Sequence, residues 1–264
     1  MTTRGKCSAD FEPETIQLSI LGVEREVSLP VPRGESSPLE LLPIAREISR
    51  QATGVALEAA ASRGEHVPCR AGCAACCRHL VPLSSLEAVA LADLIAALAP
   101  ERRSVIRDRF AGAVRRMETE GILDPDAPKG RSSLCAQSRA DESLWENASR
   151  RYFALRIPCP FLENENCSIY EHRPMSCREY HVTTPAELCA VWNSGAKETE
   201  RPVRMSEELA DVMSSLFDVH ALLIPLPLLL EWAEVHGEKL RKTRAGEVMF
   251  RALLDQLGDD APQP

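Results

Sequence analysis

Ten cysteines occur in the 264-residue chain, and seven of them fall in two tight groups. The first is Cys69-Arg-Ala-Gly-Cys73-Ala-Ala-Cys76-Cys77. The second is Cys159-Pro-Phe-Leu-Glu-Asn-Glu-Asn-Cys167-Ser-Ile-Tyr-Glu-His-Arg-Pro-Met-Ser-Cys177-Arg. Cys189, twelve residues beyond Cys177, is a candidate eighth member. A soft metal ion or an iron–sulfur cluster takes several thiolates at about 2.3 Å. Cysteine is short, so the backbone must curl around what it binds. Two residues between Cys73 and Cys76 bring both sulfurs to one point, and Gly72 and the alanines permit tight turns. A second pair from the distant group would complete four-coordination. The candidate metal ligands are therefore Cys69, Cys73, Cys76, Cys77, Cys159, Cys167, Cys177 and Cys189.

Cys76 and Cys77 are adjacent, and neighbouring side chains diverge, so both rarely serve one small ion. Either they belong to two sites, or one is a reactive or structural thiol. A four-thiolate zinc site or an oxidised four-iron cluster on four thiolates is formally doubly negative. Arg70, Arg78, Arg173 and Arg178 lie within four positions of a cysteine and could offset that charge. Arg173 and Arg178 are taken as the cofactor-binding candidates. His79, His172 and His181 read first as surroundings of the site, because enough cysteines exist without them. Glu163 and Glu165, with Asn164 and Asn166, read as a solvated loop. Cys7 and Cys135 are isolated and read as small apolar residues.

A disulfide framework is the competing explanation. Met1 to Phe11 carries charge and lacks the apolar segment of a secretion signal. The longest apolar run, Ala221 to Leu230, is broken by Pro225 and Pro227 and falls short of the roughly 18 residues that suggest a membrane span. A cytoplasmic setting is expected, where thiols stay reduced. The net charge is −8 and no Lys/Arg run stands out, which argues against nucleic-acid binding. A protein partner and the oligomeric state stay open.

The elements that must position these cysteines read as mainly α, with helices around an irregular cysteine-rich core and a small N-terminal β element. Ile16, Leu18 and Ile20, then Val27, Leu29 and Val31, alternate with polar residues across Thr15 to Pro32, with Leu21-Gly22 as the turn. Arg33 to Pro38 reads as a linker, and Leu39 to Arg63 as a helix stopped by Gly64. Ser84 and Glu87 form a capping box for a helix to Ala99, and Pro100 starts the next, to about Gly121. Asp124 to Arg131 is a loop. Arg139 to Arg156 is helical, with Leu144, Ala148, Tyr152 and Leu155 on one face. Thr184-Pro185-Ala186-Glu187 reads as a helix start. Two or three helices fill Glu207 to Leu257, with Val212, Leu216, Val219, His220 and Leu223 as a buried stripe and His220 as a core histidine. The expected units are 1–37, a metal-binding domain over 38–200, and a C-terminal helical segment over 201–264 packed on it.

The sequence resembles the YkgJ-type cysteine-cluster family of zinc- or iron-chelating domains. The resemblance rests on Cys73-Ala-Ala-Cys76-Cys77, Cys159-Pro-Phe-Leu, Cys167-Ser-Ile-Tyr-Glu-His-Arg-Pro-Met-Ser-Cys177-Arg-Glu-Tyr and Cys189. It covers roughly Cys69 to Cys189. Family members often place two residues between the first two cysteines, whereas Cys69 and Cys73 have three between them. A related group with a similar cysteine set, the flagellin lysine methylases, is linked to iron–sulfur chemistry, which extends the implication to protein methylation. Within the motif, Ile169 to Arg173 reads as one helical turn ended before Pro174, with Tyr170 and Arg173 as packing and hydrogen-bonding parts of the site.

Three functions compete on these residues. The first is an iron–sulfur protein, for electron transfer or as an enzyme's cofactor domain, favoured by the surplus of thiols and by Cys76-Cys77. The second is a structural zinc scaffold, whose closed site does no chemistry itself. The third is a metal carrier or assembly factor. No phosphate-binding Gly-rich loop, Gly-x-Ser-x-Gly or His-Glu-x-x-His occurs. Whether the chain is an enzyme is left open.

Overall fold

The computed structural model describes residues 10–127, 142–220 and 223–259. The chain opens with an antiparallel hairpin of β1 (Asp10–Ile20) and β2 (Val23–Arg33), paired from Asp10↔Arg33 to Ile20↔Val23. Leu21 and Gly22 turn it with φ of 50° and 76°, the positive values that tight two-residue hairpin turns require. Alternation decides which face it buries. Val27, Leu29 and Val31 enter the core, and the residues between them stay in solvent.

The expected linker contains β3 (Glu35–Ser36), which pairs with β8 near the C-terminus (Arg244–Ala245). A two-residue bridge has no periodicity that a sequence could display. Next comes α1 (Leu41–Ser62), entered through a 3-10 turn at Pro38–Glu40 and left at Arg63 and Gly64. Its inner stripe, Leu41, Ile44, Ala45, Ile48, Ala52 and Val55, is buried. The first cysteine segment follows as consecutive turns. The chain then enters β4 (Pro82–Leu83), α2 (Ser85–Ala96) and α3 (Pro100–Thr119). The capping box on α2 is formed as the sequence predicts.

α4 (Glu142–Ala154) leads into the second cysteine segment. On it Ala148 and Tyr152 are buried, but Leu144 is 43% exposed. That residue belongs to the first turn, ahead of the part of the helix that meets the core. The second segment holds a small hairpin of β5 (Leu162–Glu163) and β6 (Asn166–Cys167) and a 3-10 turn at Tyr170–His172. The five-residue α5 (Met175–Glu179) closes it.

The helix expected from Thr184-Pro185 is only a 3-10 turn, Ala186–Ala190. Thr184 Oγ1 accepts the N–H of Lys197 at 3.1 Å and so does not cap a helix. Its neighbours pair with the same strand-like segment: Thr183 N donates to Lys197 O, and Thr199 N to His181 O.

The C-terminal part comprises α6 (Met205–Phe217), β7 (Ile224–Pro225) paired with β4, α7 (Leu229–His236), β8 and α8 (Gly246–Asp259). Asp218, with φ of 48°, ends α6. The predicted stripe is therefore interrupted. Val212, Val219 and Leu223 are buried, but His220 is exposed and is not a core histidine. The main hydrophobic core runs from Val27 and Leu29 through Ile48, Leu86, Phe110 and Tyr152 to Met213, Trp232 and Leu253, with Ile20, Ala52 and Val55 in a smaller cluster beside the hairpin. Cys7, Cys135 and part of the Asp124 to Arg131 loop lie outside the described residues. Among the described residues no helix is long and apolar enough to cross a membrane.

Candidate metal centre

The first cysteine segment is built from turns because its carbonyls find partners three residues on. Cys73 N donates to Arg70 O at 3.0 Å, Cys77 N to Ala74 O at 3.0 Å and His79 N to Cys76 O at 3.1 Å. Gly72 takes φ of 86° as third residue of the first turn, a conformation that glycine adopts without steric cost. The additional residue between Cys69 and Cys73 is absorbed here. A Cβ on Gly72 would stand 3.2 Å from Asn166 Oδ1, so the first segment packs directly on the second.

The second segment is folded as tightly. Leu162 N donates to Cys159 O at 2.8 Å, and Ser168 N to Phe161 O at 2.9 Å. Asn164 and Glu165 turn the β5–β6 hairpin with φ of 50° and 56°. They are part of a defined turn, not merely a solvated loop. Glu165 pairs with Arg78 at 2.8 Å, again across the two segments. Cys159 N donates to Cys77 O at 2.8 Å, a backbone bond between the cysteine groups. From α3, Arg109 Nη1 donates to Pro160 O at 3.1 Å and Leu162 O at 3.2 Å.

The eight cysteines among the described residues are free thiols. Their mutual effects show which ones are neighbours. Burial pushes the Cys177 thiol well up, and Cys76, Cys159 and Cys167 push it further while Arg173 opposes them. Burial also raises Cys159 to about 12, with Cys167 and Cys76 adding to it. Cys167 is raised by burial, and Arg173 and Arg178 draw it back. Cys69 and Cys189 are raised first by burial and then by a second neighbourhood, Cys73 and Cys76 for the former and Cys76, Cys69 and Cys73 for the latter. Cys76 is common to both sets and is itself raised most by its hydrogen bond with Cys77.

Among the described residues, no three Cys, His, Asp or Glu side chains already stand in an ion-holding arrangement. The thiols are neighbours without meeting at one point. Closing a coordination shell would use changes of cysteine χ1, which move Sγ without moving the backbone. The donor chemistry fits a thiophilic group: free thiols from two segments, raised by one another, beside a guanidinium that favours their charged form.

The candidate arginines are held differently. Arg173 lies 3.8 Å over the Tyr170 ring and donates Nε–H to Tyr170 O. Its charge lowers Cys76, Cys167 and Cys177. Arg178 donates to Arg173 O at 3.0 Å and to Glu171 O, bracing the turn that carries Arg173. Arg78 is committed to Glu165, and Arg70 is exposed. His79 Nε2 donates to Cys189 O at 2.8 Å, and its ring meets Phe153 and Trp192. It positions Cys189. His181 is held below the usual imidazole range by burial. His172 is exposed.

Two buried carboxylates missed at the sequence level mount α5, the helix that bears Cys177. Glu87 accepts from Ser84 N, Ser84 Oγ and Met175 N. Glu179 accepts from Ser49 Oγ on α1 at 2.7 Å and from Met205 N at the start of α6. Burial pushes Glu179 up to about 8. Glu87 was legible as a cap only, because its second partner is remote in sequence.

Comparison with protein families matches residues 68–201, half of the chain, to CxxCxxCC, described as a "putative zinc- or iron-chelating domain". The chain belongs to this family. The matched span takes in both cysteine segments, Cys189 and the strand-like stretch that pairs with residues 181–183. Neither the search of curated proteins nor that of solved structures returned a match. The family description supports a metal-chelating role and leaves zinc and iron open.

Proposed function

We propose that the chain holds an iron–sulfur cluster on thiolates drawn from both cysteine segments. The supporting observation is that Cys76 of the first segment raises Cys159, Cys167 and Cys177 of the second, the two segments being joined at Cys159 N–Cys77 O. A four-iron cluster carries each thiolate on a different iron, so its sulfurs stand further apart than those around one zinc ion. The surplus of free thiols among the described residues, more than one zinc ion takes, favours the larger body. Bound there, the cluster would supply one-electron chemistry. Cys69, Cys73 and Cys189 form the second thiol set of the same site, linked to the first through Cys76. A reducing compartment such as the cytoplasm suits free thiols.

Anaerobic purification followed by elemental analysis tests this reading. The expected protein is brown, with broad absorbance near ~400 nm and with iron and sulfide in matching amounts. A colourless protein with stoichiometric zinc replaces the cluster by a structural zinc site. Retention of neither metal removes both readings.

A further inference from the structure

Beside the cysteine centre lies a cavity of about 620 Å³ whose lining includes Cys76 and Cys177. That volume falls in the range of small-molecule sites. One wall is aromatic, formed by Trp145 on α4, Tyr180 and Trp192. Trp192 meets Phe153 at 5.6 Å and His79, itself on the lining, at 6.4 Å between ring centres. The floor carries hydroxyls. Ser176 and Ser206 meet at 3.2 Å, while Ser149 Oγ is buried with no hydrogen-bond partner among the described residues.

Besides Glu179, held by Ser49 and Met205 N, the acidic and arginine side chains of the lining form two pairs. Arg201 meets Glu198 at 2.9 Å, and Arg204 meets Glu207 at 3.4 Å. Both are partly exposed i,i+3 pairs, which contribute little to stability and so open at little cost. The two matched pairs give no net field for a lone anion. They do offer one donor fork and one carboxylate each, about 3 Å apart. A molecule carrying an ammonium and a carboxylate on the same carbon presents the complementary set, and arginine grips carboxylate in a bidentate fashion.

We propose that this cavity binds a small amino-acid-like zwitterion, its charged ends exchanging into the Glu198–Arg201 and Arg204–Glu207 pairs and its body lying on Trp145 and Trp192. The inference deepens the reading of the cysteine centre, because a ligand seated here lies against Cys76 and Cys177.

Saturation-transfer NMR on the full chain, prepared anaerobically, tests it with three matched series. Phenylalanine is set against phenethylamine and 3-phenylpropanoate, and methionine and leucine against the corresponding amines and acids. At least one zwitterion should bind, at least tenfold tighter than its singly charged analogues. Arg201→Gln and Glu207→Gln should each weaken it about tenfold with metal content unchanged. Equal binding of the amine or the acid, insensitivity to both variants, or no binding by any zwitterion overturns the proposal. Metal measured on the same samples keeps the two readings apart. Retained metal without zwitterion binding defeats the pocket alone, and zwitterion binding by metal-free protein defeats the centre alone.

Discussion

The carboxylate of Glu87 accepts the backbone N–H of Met175 at 2.8 Å while its other oxygen accepts from Ser84 N and Ser84 Oγ. A residue that caps α2 thus also fixes the first turn of α5, two residues before Cys177. The charge-assisted bonds are buried, so losing them is costly.

Glu87→Ala should destabilise the protein by about 2–4 kcal/mol, combining a lost cap with a lost charged hydrogen bond. Urea denaturation measures this. The same variant should retain less metal, because α5 loses its anchor. Full metal retention in a destabilised variant would show that Glu87 serves α2 only.

Cys76 couples to both thiol sets, whereas Cys77 is linked to the rest through Cys76 and through its own carbonyl. Cys76→Ala, Cys159→Ala and Cys177→Ala should each lower metal per chain at least fivefold after anaerobic purification. Cys77→Ala should lower it less, since the alanine keeps the carbonyl that receives Cys159 N–H. Equal loss at Cys76 and Cys77 would mean that the adjacent pair divides between two centres.

Gly72 combines φ of 86° with a close approach to Asn166, whereas Gly64 has φ of 75° and open space around its Cβ position. Alanine at either position meets left-handed backbone strain of roughly 1 kcal/mol. Only Gly72→Ala should also speed metal loss to a chelator, because it pushes the two cysteine segments apart. Identical chelation rates for the two variants would contradict that packing.

Gly246 opens α8 directly beneath β2, and a Cβ there would stand 2.1 Å from Pro32 O. Backbone cannot yield as a flexible side chain would. Gly246→Ala should cost about 1–3 kcal/mol or more, read as a lower urea midpoint. A midpoint within error of the parent would show that α8 can slide on the hairpin.

Much of the fold was legible because its causes are local. Alternation placed Val27, Leu29 and Val31 inside, and Ser84 with Glu87 announced the start of α2. The resemblance of Cys167 to Tyr180 to a known motif pointed to the metal-binding segment. Elements failed where a distant partner decided. Thr184 was drawn to Lys197 and did not cap a helix. Asp218 adopted a left-handed conformation that ended α6 before His220 could be buried. Glu35–Ser36 found Arg244–Ala245 at the far end of the chain. The site divides in the same way. Thiols announce themselves by type and spacing, whereas Glu87, Glu179 and Trp192 serve the centre through contacts made only after folding.

Ser49 sits on α1 and is no candidate ligand, yet its hydroxyl holds Glu179, a residue 130 positions away in sequence. The integrity of α1 is thereby written into the seat of Cys177. In a survey of random variants, damage at this unremarkable serine would surface as lost metal and be mistaken for a defect in ligation, although every sulfur remained in the chain.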